Sequence, residues 1–273
     1  MSTGQGCLKV VVFTGGAVLE QDCLGFIARV EAEPRLQLVG VFCESHSPGA
    51  SGVIRDLWRR RRWLAPLLLA QRVLCRIART MATPAAEMAR HRTLRRIGER
   101  VHFVADLHAA SVLSRVSKLR PDLGAVYGGP ILRPELFRIP RAGTLGIHHG
   151  RLPHYRGKKT TFWAMHNGEE SVGVAIQRIG SGLDRGDILR DAVLRTGRTP
   201  LPVVNRRLER LGHDLYIEAL RSVHEGTAVF RPQAAAAGAP LYKDPRPADI
   251  ARFWLRYLVR LLGHRGAARS PGA

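Results

Sequence analysis

The chain has 273 residues, of which 45% are hydrophobic and 24% are charged, and this composition excludes a wholly disordered chain. Lys and Arg number 43 against 22 Asp and Glu, which gives a formal net charge of +21. This excess favours anionic partners, namely nucleic acid, nucleotide-linked substrates or an anionic membrane surface, without choosing among them. A GC-rich coding background is an alternative source of part of the arginine content.

The cysteines indicate neither a zinc site nor a disulfide framework. They are widely spaced and form no CxxC pair. The N-terminus also lacks a basic region followed by a long apolar stretch, which argues against a signal peptide. We therefore expect a cytoplasmic protein without a metal site. The four cysteines are Cys7, Cys23, Cys43 and Cys75.

The N-terminal part predicts a strand, helix, strand unit. Residues 8–16 and 36–45 are β-branched and apolar, and residues 18–30 between them are compatible with a helix that ends before Pro34. Such a unit in about 35 residues is typical of a right-handed βαβ crossover. The Gly pair at 15–16 does not match GxGxxG, so we interpret it as a structural turn.

Residues 55–100 form a strongly basic segment. It holds thirteen arginines and three acidic residues, a net charge of +10, with apolar residues at helical spacing. A basic amphipathic helix is one interpretation, suited to an anionic membrane or an acidic partner. A helix packed on the sheet with solvated arginines is the other. The apolar run at 67–69 is too short to span a bilayer.

The remaining chain alternates strands and helices up to about residue 225, and we predict a catalytic domain over 1–225. A small-residue linker and an amphipathic helix follow in 226–263, and we predict a disordered tail over 264–273. Further predicted strands cover 101–106, the start of 122–132 before a Gly-Gly-Pro loop, 171–179 and 187–194. The predicted helices cover 107–119, 203–224 and 247–263.

Two polar residues stand at predicted strand ends. His148 follows the apolar stretch "GTLGI", and Asp184 lies in the glycine-rich turn "GSGLDRGDIL". Taken singly, a structural histidine and a turn-forming aspartate are the simpler interpretations. Together they can form a pair in which the carboxylate orients an imidazole that moves a proton near neutral pH.

The order of motifs in residues 121–189 resembles the folate-dependent formyltransferase family, which includes methionyl-tRNA and sugar N-formyltransferases. These motifs are a strand end with His148, then "LPHYRG", a tryptophan followed by "NGE", "SVGV" and "GLDRGDIL". The resemblance implies an α/β fold: a three-layer Rossmann-like domain with a mostly parallel central sheet, here with a short helical C-terminal extension.

The resemblance also implies an enzyme that moves a formyl group from 10-formyltetrahydrofolate, its co-substrate, to an amine. The family's catalytic His and Asp fall on His148 and Asp184. The family's Asn falls on Gly146, which has no side chain to stabilise an oxyanion. His149 or a backbone N–H, such as that of Gly146, is the candidate substitute donor.

The same resemblance suggests further contacts along these motifs. Lys158 is also able to meet an anionic acceptor as a point charge. The folate contacts implied are Tyr127, Gly128, Ile131, Leu132 and Gly182, and the acceptor contacts implied are Tyr155, Arg156 and Lys158.

For the acceptor we expect a nucleotide-linked amino sugar, because about 48 residues follow position 225, too few for a typical independent tRNA-binding domain. An aminoacyl-tRNA is the alternative acceptor, supported by the basic charge. The loss of the family's Asn at Gly146 leaves open a non-catalytic folate- or nucleotide-binding protein. Basic helices at 55–80 and 247–262 leave open a protein at a membrane surface.

Overall fold

The computed structural model describes residues 6–16, 19–45, 84–234 and 239–263. Most of the basic segment, through residue 83, lies outside the described residues, and so does the predicted tail 264–273. The helix predicted at 55–80 and the disorder of the tail therefore stay predictions.

A seven-stranded sheet forms the centre of the protein, in the order β3-β2-β1-β4-β5-β7-β8. The first five strands in this order are parallel, and β7 runs antiparallel to both β5 and β8. The predicted mostly parallel α/β sheet is confirmed. The strands are β1 Leu8–Gly15, β2 Leu36–Glu44, β3 Val101–Val104, β4 Leu123–Val126, β5 Thr144–His148, β6 Arg156–Gly157, β7 Ser171–Arg178, β8 Ile188–Arg195 and β9 Leu241–Tyr242.

Helices cover both faces of the sheet, as the resemblance implied. The helix predicted at 107–119 begins three residues later, because the Asp106 carboxylate accepts a hydrogen bond from the His108 N–H at 2.8 Å and holds a turn there. The helices are α1 Gln21–Ala32, α2 Pro84–Ile97, α3 Ala110–Leu119, α4 Pro134–Phe137, α5 Thr160–His166, α6 Leu201–His224 and α7 Pro247–Gly263; a 3-10 turn covers Gly98–Arg100.

The core is divided by the sheet into two parts. On one face, α1 and α6 pack around Phe26 and Tyr216, whose rings stack 4.6 Å apart. On the other face, Phe13 and Phe42 pack with residues of α3 and α4. The parallel strands β1 and β2 are nearly continuous apolar runs, because both faces of the sheet are covered there.

Two glycines allow the loops after β1 and β4 to touch through their backbones. A Cβ added at Gly15 would lie 2.9 Å from the Gly129 Cα, and one at Gly129 would lie 2.7 Å from the Gly15 nitrogen. Gly129 also has a φ of 113°, a conformation that favours glycine. This close contact agrees with the interpretation of the glycine pair at 15–16 as a structural turn.

The C-terminal residues pack on the central domain. β9 pairs with β6 in a parallel two-stranded sheet, and the Trp163 indole N–H donates to the Lys243 carbonyl at 2.8 Å. In α7, Phe253 is buried against Phe162, with ring centroids 5.0 Å apart. These contacts fix α7 beside α5.

Tyr216 provides a test of this core. Its buried hydroxyl donates to the Leu145 carbonyl at 2.8 Å and accepts from the Val126 N–H at 3.1 Å. We expect Tyr216→Phe to lower the free energy of unfolding by about 1–3 kcal/mol, because both backbone groups lose a buried partner. Urea unfolding measures this change.

The control is Tyr257→Phe, which removes a hydroxyl that donates to the exposed Arg198 carbonyl. Water replaces that partner, so we expect a change within about 0.5 kcal/mol. Equal effects of the two substitutions would contradict the structural role of the Tyr216 hydroxyl.

Candidate active site

The structure brings His148 and Asp184 together. His148 ends β5, and its Nδ1 lies 3.3 Å from the Asp184 Oδ1. Both side chains are largely buried, with 8% and 14% of their surface exposed. Ion pairs and hydrogen bonds in such a site are less weakened by water than at the surface.

The second nitrogen of His148 faces the neighbouring loop. Its Nε2 lies 2.7 Å from the carbonyl oxygen of Tyr155. Gly150 makes this approach possible, because a Cβ there would lie 2.6 Å from the His148 Nε2 and would clash with the Tyr155 carbonyl. Each ring nitrogen of His148 therefore faces an oxygen acceptor, one on a carboxylate and one on the backbone.

The Asp184 carboxylate accepts hydrogen bonds from two donors and faces His148. Its Oδ2 accepts from the Gly157 N–H at 2.9 Å, and its Oδ1 accepts from the Gln177 amide at 3.2 Å in addition to facing His148. The residue has a φ of 51°, in the left-handed region that Asp tolerates better than most residues. The Gln233 amide donates to the Gly186 carbonyl at 2.7 Å and so ties down the same loop.

Gly146 does not border open space on its sheet face. A Cβ added there would lie 2.5 Å from the Ile179 Cδ1, so the isoleucine side chain covers the position that the family's Asn would need. A side-chain oxyanion donor at 146 requires Ile179 to move. The Gly146 backbone pairs with β4 and β7 inside the sheet, so its N–H takes part in the strand pairing.

His149 points to the opposite face of the sheet and joins a different cluster. Its Nε2 lies 2.9 Å from the Glu209 Oε2 but outside hydrogen-bond geometry, and this nitrogen is buried. The Tyr127 hydroxyl donates to the Glu209 Oε1 and also lies 2.7 Å from the His213 Nε2. Glu209 and His213 are one turn apart on α6, so they share the helix face that covers this end of the sheet.

Burial sets the charge of this cluster. It raises the pKa of Glu209 to about 7, and the nearby Asp22 and Glu20 add to the effect. Burial also lowers the pKa of His149 to about 4, helped by the neighbouring His148 and His213. Burial likewise lowers the pKa of His213 to about 4, and the nearby Arg29 lowers it further. At neutral pH His149 is therefore an uncharged imidazole.

The residues predicted to contact folate lie on two loops. Gly128 borders open space and Ile131 is exposed, as is Leu183 next to Gly182. Leu132 is buried in the core, and the Tyr127 side chain belongs to the Glu209 cluster. The loops thus offer an open apolar edge, and the folate contacts stay predictions.

The predicted acceptor residues differ in their environments. The Tyr155 ring is buried, stacks 5.2 Å from Tyr242 and donates its hydroxyl to Glu169, so its side chain supports the loop and is not part of an open surface. Arg156 donates to the Ala239 carbonyl at 3.1 Å. Lys158 is exposed, and its Nζ lies 3.7 Å from the Asp244 carboxylate. Acceptor contact by the two basic residues stays a prediction.

Sequence reasoning missed Gln177, Glu209, His213 and Gln233. His213 lies on the apolar face of α6, near Leu208 and Leu215, and a histidine and a glutamate one turn apart beside such a face were a usable signal. Nothing in the local sequence of Gln177 or Gln233 indicated that their amides would meet the Asp184 loop.

With this geometry in hand, comparison with known proteins decides the family. Residues 76–220, more than half of the chain, match the formyl transferase family. This chain belongs to the formyl transferase family. A methionyl-tRNA formyltransferase of Pelotomaculum thermopropionicum is 35% identical to this family member over 168 residues, which is 60% of this chain and 53% of that relative. The chain thus spans about half the length of that relative.

Solved structures agree on the fold. Glycinamide ribonucleotide transformylase 1 from Symbiobacterium toebii has a TM-score of 0.57 at 16% identity, covering 84% of this chain and 95% of the other. Phosphoribosylglycinamide formyltransferase from Anaplasma phagocytophilum has a TM-score of 0.58 at 14% identity, covering 88% of this chain and 100% of the other. At such identities the likeness establishes the Rossmann-like formyltransferase fold.

Gly146→Asn tests whether Ile179 fills the place of a missing side chain. We expect this substitution to lower the free energy of unfolding by about 1–3 kcal/mol, because the added atoms meet Ile179 in a packed region. Adding Ile179→Ala should recover part of the loss. Chemical denaturation of the single and double variants measures both effects.

The matched control is Gly180→Asn, since a Cβ at Gly180 meets nothing within 4 Å. We expect that variant to stay within about 0.5 kcal/mol of the parent protein. If the double variant loses the sum of the unfolding free energies that the two single variants lose, the two positions do not compete for space.

Glu209→Gln tests the charge of the second cluster. The folded-state pKa of Glu209, about 7, lies above its ordinary value of 4.5. Folding is therefore favoured below pH 4.5, where the group is protonated in both states, and this advantage is lost as the pH rises through 7. Relative to Glu209→Gln, the parent protein should lose on the order of 3 kcal/mol between these limits. Denaturation across pH 4.5 to 8 measures the difference, with the exposed Glu218→Gln as control; parallel curves for parent and Glu209→Gln would refute it.

Proposed function

We propose that this chain transfers a formyl group from 10-formyltetrahydrofolate to a primary amine. The observation that carries the proposal is the buried pair of His148 and Asp184, 3.3 Å apart, in a member of the formyl transferase family. We further propose that residues 1–225 form the catalytic domain and that 226–263 extend it, as the packing of β9 and α7 supports.

In the proposed reaction the amine nitrogen attacks the formyl carbon and forms a tetrahedral intermediate with a negative oxygen. His148 accepts the proton that the nitrogen loses and returns it to the folate nitrogen as the bond from that nitrogen to the formyl carbon breaks. The products are a formamide and tetrahydrofolate. Asp184 faces Nδ1, so Nε2 is the nitrogen that exchanges the proton, and the acceptor must take the place of the Tyr155 carbonyl beside it.

The oxyanion needs a donor other than a side chain at 146. Because Gly146 and Ile179 leave no amide there, and His149 faces α6 on the other side of the sheet from His148, we propose a backbone N–H in this role. Loss of one oxyanion donor costs about 100- to 1000-fold in other enzymes, so such a replacement matters to the rate.

The acceptor is a choice between two amines. The methionyl-tRNA formyltransferase relatives favour an aminoacyl-tRNA over the amino sugar expected from the sequence. They match this chain over about half of their length, so the rest of each relative says nothing about the acceptor here. Both candidate acceptors carry phosphate, which suits a chain of net charge +21.

Release of tetrahydrofolate from 10-formyltetrahydrofolate tests the reaction, with an aminoacyl-tRNA and a nucleotide-linked amino sugar as alternative acceptors. We expect release with one of them, and a loss of about 100- to 10,000-fold in His148→Ala and Asp184→Asn, because proton transfer loses its carrier or its partner. His224→Ala, at the far end of α6, is the control. A steep fall in activity as the salt concentration is raised identifies the tRNA acceptor, because its many phosphate contacts weaken with salt.

Full activity in both site variants would overturn the mechanism. Folate binding without release for any amine would instead favour the non-catalytic protein suggested by Gly146.

A further inference from the structure

Helix α7 turns an apolar face away from the other residues that the structure describes. Leu255 is 64% exposed, Val259 is 60% exposed and Trp254 is 37% exposed, whereas Phe253 on the opposite side is 4% exposed. Leu255 and Val259 are one turn apart and therefore lie above one another on the same face. The exposed Ala248 and Ala251 extend this face toward the helix start.

This arrangement is the reverse of an ordinary surface helix. A helix on a globular protein buries one apolar stripe and presents polar residues to water. Here α7 buries Phe253 against Phe162 and still presents leucine, valine and tryptophan outward. A contiguous exposed apolar face indicates a surface that is covered in use.

Positive charge follows one edge of the apolar face. Arg252 and Arg256 are exposed, one turn apart, and each lies three residues before one member of the Leu255 and Val259 pair. Arg252 pairs with Asp249, the acidic residue of the first turn, whose side chain is only 15% exposed. Trp254 lies on the other edge. An apolar strip with arginine along one edge and tryptophan on the other matches a helix at a lipid interface.

We propose that α7 lies flat in the surface of an anionic lipid bilayer, with Leu255 and Val259 in the acyl boundary. Arg252 and Arg256 reach the lipid phosphates, and the indole of Trp254 lies at headgroup depth. In the part of the chain that the structure describes, no helix is long and apolar enough to cross a membrane, so the contact is interfacial. The inference is independent of formyl transfer.

The positive charge of the chain favours an anionic bilayer over a second copy of the chain as the partner of α7. Two copies joined through α7 would bring Arg252 and Arg256 of each against a partner with the same net charge of +21. An anionic bilayer instead attracts each arginine near its surface and adds the burial of the apolar strip.

Flotation of the full chain with vesicles tests the proposal. We expect binding to phosphatidylcholine vesicles that contain phosphatidylglycerol, and much weaker binding to phosphatidylcholine alone. Leu255→Glu with Val259→Glu should lower binding to the anionic vesicles at least about tenfold, because two apolar anchors are lost. Arg252→Gln should weaken the dependence on phosphatidylglycerol.

The matched control is Val193→Glu with Val229→Glu, which places the same charges at exposed valines outside α7. Quenchers attached to the lipid acyl chains should reduce the tryptophan fluorescence of the bound protein. Loss of this quenching in Trp254→Phe would place the helix at the bilayer. Equal loss of binding in the α7 and control variants would overturn the proposal, because it would reflect net charge alone. Unchanged binding in the α7 variant would also overturn it, because the lipid contact would then lie elsewhere.

Discussion

The carboxylate of Asp184 is the group on which the candidate site depends. It accepts from the Gly157 N–H and the Gln177 amide while it faces His148, so one side chain connects its own loop to the three strands β6, β7 and β5. The loop that carries it must fold back across β5 and β7. Gly186 allows this, because any Cβ there would clash with the Arg178 carbonyl. The geometry of the pair is therefore a property of the loop backbone as much as of the two side chains.

Adjacent histidines at the end of β5 have opposite electrostatic surroundings. Because successive residues of a strand point to opposite faces, His148 meets the Asp184 carboxylate and His149 meets α6. Burial keeps the pKa of His149 and His213 low and that of Glu209 high, so the cluster on the α6 side is close to uncharged between about pH 4 and pH 7. One dipeptide thus places one imidazole beside a carboxylate and the other, uncharged at neutral pH, against α6.

The sequence predicted β1 and β2 well, because each is a long apolar run bounded by glycine or proline. It also placed His148 at a strand end and Asp184 in a glycine-rich turn, and the structure brings the two side chains to 3.3 Å. It did not indicate Ile179 over Gly146, since that contact depends on how the following loop folds back. Nor did it indicate the Glu209 cluster, whose members come from α6 and from the residues directly after β4 and β5, and meet only through tertiary packing.

The contact between Gly15 and Gly129 couples two loops that are 113 positions or more apart in the chain. Thr14 strengthens it, because its hydroxyl donates to the Tyr127 carbonyl at 2.8 Å. No side chain separates the two backbones, so neither segment can move toward the other without a clash. A ligand that displaces one of the two segments must therefore displace the other as well, which makes this end of the sheet resistant to local rearrangement.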